Sequence, residues 1–88
     1  MDNLKEILEK AKSAFIAEDY KSAFEIWKPL AEKGNAKAQN NFGLMFKEGK
    51  GIPQDHKEAI KWFRLAAEQG DVAAKSQLDL LLKEKEKS

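Results

Sequence analysis

The stretch EGKGIPQDHKE, residues 48–58, gathers two glycines, the chain's one histidine, a proline and several charged side chains, and no other segment concentrates as many groups able to do chemistry. Gly49-Lys50-Gly51, with Gly43 upstream, invites comparison with a phosphate-cradling loop, in which glycine amides and a lysine hold phosphate oxygens. Three features exclude it: five residues rather than four separate Gly43 from Gly49, neither Ser nor Thr follows Lys50, and the segment leaves a helical pattern rather than a strand. A metal or acid-base role for His56 needs partners, and the chain has no second histidine and no cysteine. Carboxylates are plentiful, Glu25, Glu32, Glu48, Glu58 and Glu68 among them, but they share faces with lysines and read as solvated i,i+4 pairs. No nucleophile stands beside a base, so the residues predict no catalytic group, no metal site and no cofactor.

As a connector between helices the same stretch is fully explained. Gly49 ends a helix, Gly51 permits a positive φ, Pro53 cannot continue the preceding helix, and Asp55 starts the next. Asp55 with Glu58 three residues on predicts a reciprocal capping box. His56 corresponds to Tyr20 in a repeat described below, and a ring packed over a helix start accounts for both.

The elements around that connector are helical throughout. Apolar residues recur at Leu4, Leu8, Ala11 and Phe15, at Ala38, Phe42 and Met45, and at Ala59, Phe63 and Ala66, and nothing alternates with a strand period. Gly34-Asn35 and Gly70-Asp71 each pair a left-handed glycine with an N-capping side chain, which joins two helices with almost no loop. With Asp19 and Asp55 as further caps, the sequence predicts five helices, 3–17, 20–33, 35–48, 56–69 and 71–86. Gly34 and Gly70 lie 36 residues apart, and the same period pairs Asp19 with Asp55, Ala23 with Ala59, Trp27 with Phe63, Ala38 with Ala74 and Leu44 with Leu80. A repeat of this length built from two antiparallel helices predicts an α-solenoid.

Composition agrees with one small soluble domain. The 88 residues are 42% hydrophobic and 35% charged, too apolar for disorder, and the absence of cysteine removes disulfides. Lys plus Arg total 16 against 15 for Asp plus Glu, so no net field recruits nucleic acid or anionic lipid. Arg64 is the only arginine and the aromatics fall at core spacing, which argues further against a nucleic-acid partner. The opening MDNLKEILEKAK lacks the apolar run of a signal peptide, so the expected location is cytoplasmic. The closing KEKEKS alternates in sign and reads as a frayed, solvated end.

Ala38-Gln39, Phe42-Gly43, Met45-Phe46, Gly49-Lys50-Gly51-Ile52, Asp55, Ala59, Trp62, Ala66-Ala67 and Gly70 resemble the Sel-one-like repeat, a relative of the tetratricopeptide repeat. The expected architecture is therefore an all-α, short right-handed α-solenoid of antiparallel helix hairpins. It comprises a first, tetratricopeptide-like hairpin over 1–34, a full Sel-one-like repeat over 35–70, and a capping helix with charged tail over 71–88. Small residues, Gly43, Ala59, Ala66 and Ala67, allow close helix approach while Phe42, Phe46, Trp62 and Phe63 fill the spaces. Pro29 is expected to kink the second helix.

The resemblance implies a non-catalytic protein-protein interaction scaffold that receives a peptide or protein surface in a groove lined by the first helix of each repeat. Stacked first helices would present Asn40, Asn41, Leu44 and Lys47 from the third helix, with Ser76 and Leu80 from the fifth. Asn40 and Asn41 stand out because amides are mediocre helix formers and the repeat does not require them. A clamp for acidic chain termini is not expected, since the fifth helix offers only Ala73, Ser76 and Leu80. The alternative is a self-assembly module: Leu80 points about 160° away from the face shared by Leu78, Leu81 and Leu82, given about 100° per residue, and predicts a weak homodimer through the last helix.

Overall fold

The computed structural model describes residues 3–87, which form α1 (Leu4–Ile16), α2 (Tyr20–Glu32), α3 (Ala36–Glu48), α4 (His56–Glu68) and α5 (Val72–Lys87). The all-α expectation holds, and each helix lies within about two residues of its expected bounds. α5 continues through Lys87, and Ser88, the last residue of the charged tail, lies outside the described residues.

Local chemistry sets the boundaries. Gly34 and Gly70 adopt φ of 101° and 97°, and the side chains that follow them accept the N–H groups of Ala38 and Ala74, each at 2.9 Å. Asp19 and Asp55 cap α2 and α4 by accepting from the backbone N–H of Ser22 and Glu58. The Ser22 hydroxyl and N–H together hold the Asp19 carboxyl below its ordinary pKa. The capping box at α4 forms only in its first half. Asp55 donates its N–H to the Phe46 carbonyl at 2.8 Å, and the Glu58 carboxylate is left to accept from the Trp62 indole at 3.2 Å.

Each helix packs on its neighbours in sequence, most extensively α3 on α4, in a stack measuring 46 × 26 × 18 Å. Consecutive hairpins of this kind bury a continuous core that no single hairpin could form. One cluster joins α1, α2, α3 and Trp62 of α4; the second joins α4 and α5 through Ala59, Phe63, Ala66, Ala74 and Leu81. Phe46 packs against both clusters, and within the first the Phe42 ring lies 5.1–5.2 Å from those of Phe24, Phe46 and Trp62. Beside it, a Cβ on Gly43 would stand 2.8 Å from the Phe63 ring, so only glycine lets α3 approach α4 this closely. α2 runs uninterrupted through Pro29. Tyr20 packs edge-on against Phe15 at 5.3 Å, whereas His56 is exposed, so ring packing over a helix start accounts for Tyr20 alone.

Candidate protein-docking groove

The first helix of each hairpin, α1 and α3, and the start of α5 border one concavity of about 790 Å³. α1 contributes Leu4, Lys5, Leu8, Glu9 and Lys12; α3 and its cap contribute Asn35, Ala36, Lys37, Asn40 and Asn41; α5 contributes Ala73, with Asp71 at its cap. Leu4 and Leu8 supply the apolar part and are half-buried. Lys5, Lys12 and Lys37 are exposed along the border, opposed by Glu9 and by Asp71, whose carboxylate already accepts the Ala74 N–H. Asn40 Oδ1 is buried and has no hydrogen-bond partner among the described residues.

The six residues expected from the sequence are divided by the fold. Asn40 and Asn41 line the groove. Leu44 packs instead against the cluster around Ala59 and Phe63. Lys47, one turn further along α3, donates to Gln77 Oε1 and ties α3 to α5. Ser76 and Leu80 are exposed on α5 and are not among the groove-lining residues.

The expected groove, lined by the first helix of each repeat, includes α1 but names none of its residues, although the repeat itself points to them. Ala11 stands where Gly43 does, an offset of 32 residues, and the same offset carries Lys5 to Lys37, Leu8 to Asn40 and Glu9 to Asn41. A polar bridge anchored on the buried Gln39 carried no comparable signal. Gln39, 4% exposed, donates to the Ala31 carbonyl at 3.1 Å, and Gln69 Nε2 donates to both Gln39 Oε1 and the Gly34 carbonyl at 2.9 Å. It fastens the end of α4 to the α2–α3 junction, and so fixes how far α3 stands from the preceding hairpin.

Among the described residues no cluster of three or more His, Cys, Asp or Glu side chains could hold a metal ion, and no helix is long and apolar enough to cross a membrane. A family model described as Sel1 repeat matches residues 9–35 and again residues 36–71, one match for each hairpin. The comparison with curated proteins yields no match.

Proposed function

Because the chain belongs to the Sel1 repeat family, whose repeats are generally protein-protein interaction modules, we propose that it is a non-catalytic docking module receiving a partner polypeptide in the groove between α1, α3 and the start of α5. The observation that carries this reading is that α1 and α3, the first helices of the two hairpins, line one concavity together, with Asn40 and Asn41 side by side in it. An amide side chain there offers both a donor and an acceptor, as an extended peptide requires. Leu4 and Leu8 give the apolar contact, with the lysines at the rim. Lys47, Ser76 and Leu80 would meet only a ligand long enough to continue along α3 and α5.

Peptides selected from a random library for binding to this protein test the reading. Asn40→Ala should weaken their binding about tenfold, equivalent to about 1.4 kcal/mol, without lowering the melting temperature. Unchanged affinity would remove Asn40 from the site. A second reading, self-association through α5, is favoured by Leu80, which is 53% exposed on that helix.

A further inference from the structure

Three hydrogen bonds tie the end of α4 to the junction of α2 and α3. Gln39 donates from Nε2 to the Ala31 carbonyl at 3.1 Å, while its Oε1 accepts from Gln69 Nε2 at 2.9 Å. The other N–H of the Gln69 amide goes to the Gly34 carbonyl, also at 2.9 Å. Both donors of Gln69 are thus committed, and a carboxylate of the same shape supplies neither. One hairpin earlier the arrangement has no counterpart. Lys33 stands 36 residues before Gln69, and Ile7, which takes the place of Gln39 at the 32-residue offset, has no acceptor to offer.

Gln69 joins the two helix junctions that border the groove. The Gly34 carbonyl it holds belongs to the peptide of Asn35, which Ala36 and Lys37 follow in the α3 wall. At its own end Gly70 alone separates it from Asp71, which lines the groove with Ala73 at the start of α5. Each junction is one glycine, with φ of 101° and 97°, followed directly by a cap that holds the next helix at 2.9 Å. No loop is present to absorb a shift, so moving either junction carries with it the rigid helix that follows. Gln69 is exposed, and exchange of its bond to Gly34 with water leaves a small net contribution to stability. The amide therefore bears more on where the two helices start than on whether they fold.

We propose that Gln69 is a positioning residue of the groove: its amide fixes the separation between the starts of α3 and α5, and with it the affinity for a docked polypeptide. This rests on the docking function proposed for that groove. Walls held at their bound spacing before a partner arrives spare the ordering cost of binding, so loss of the clamp weakens affinity without removing a contact.

Gln69→Glu keeps the shape and removes both donors, whereas Gln69→Arg keeps donors at the same place. The chain has no cysteine, so nitroxides on Lys37→Cys and Val72→Cys report the separation of the two helix starts in the peptide-free protein by electron-electron double resonance. One narrow distance distribution is expected with Gln69 and with Gln69→Arg, and a shifted or broadened one with Gln69→Glu. Without the labels, a library-selected peptide that binds the groove should lose about fivefold in affinity in Gln69→Glu and about twofold or less in Gln69→Arg, measured well below each melting midpoint. An unchanged distance distribution in Gln69→Glu overturns the proposal whatever the peptide does. A changed distribution with undiminished groove affinity overturns it too, as does a lowered melting temperature with distances and affinity both intact, which marks a merely structural bond. A peptide whose amide shifts map outside the groove contradicts the docking function instead, and the distances still decide whether Gln69 sets the spacing.

Discussion

Glu18 holds a left-handed conformation that costs a non-glycine residue about 1–2 kcal/mol. Glu18→Gly should therefore raise the melting temperature by roughly 4–8 °C, the shift expected per kcal/mol in a domain of this size. A circular dichroism melt checks it, and a lower midpoint would mean that the Glu18 side chain stabilises the turn. At this scale the sequence was legible wherever a residue type has one local use. Gly34, Gly70, Asn35 and Asp71 occupy the conformations and make the caps expected of them. Gly51 has φ 76°, and an added Cβ there would collide with Tyr20, so the turn expected at Gly51 holds, although the second half of the Asp55–Glu58 capping box and the ring packing of His56 do not. Glu18 itself was not legible, because nothing in its type announces a left-handed turn. The Glu58–Trp62 bond was equally hidden, since it depends on Asp55 finding the Phe46 carbonyl nine residues back in sequence.

The helices are held by a small number of interlocking contacts centred on α3. Phe42 touches three other rings from α2, α3 and α4, and Phe42→Ala should cost about 3–5 kcal/mol, a large part of the stability available to a small domain. Gly43→Ala is smaller and opposite in kind: the added methyl meets the Phe63 ring and should cost about 1–3 kcal/mol through overpacking. Urea unfolding midpoints measure both, and a Gly43→Ala midpoint equal to wild type would show that the α3–α4 spacing is not set by that glycine. Helix order and core residues were readable from the apolar spacing and the 36-residue period, because both are properties of the chain taken in order. The Gln39–Gln69 bridge and the Lys47–Gln77 bond were not, since each joins residues 30 apart through geometry that only the packed helices create. For that reason the expected site follows α3 from Asn40 to Lys47 and α5 to Ser76 and Leu80, whereas the groove crosses from α1 to the start of α5 at one end of α3.

At the scale of the whole molecule, the proposed function concerns the groove along the first helices, and its alternative the outer side of α5. On α5, Leu81 is buried against α4 while Leu80 and Val72 are exposed, so a second copy could cover the outer side. If self-association is the working state, sedimentation velocity should show a concentration-dependent dimer that Leu80→Lys abolishes. A monomer at every concentration would leave the groove as the surface that matters. The most direct test of the docking function is an amide NMR titration of the intact protein with a library-selected peptide. Binding in the groove predicts shifts concentrated at 4–12, 35–41 and 71–73, lost in Asn40→Ala, and shifts restricted to the exposed faces of α2 and α4 would contradict it.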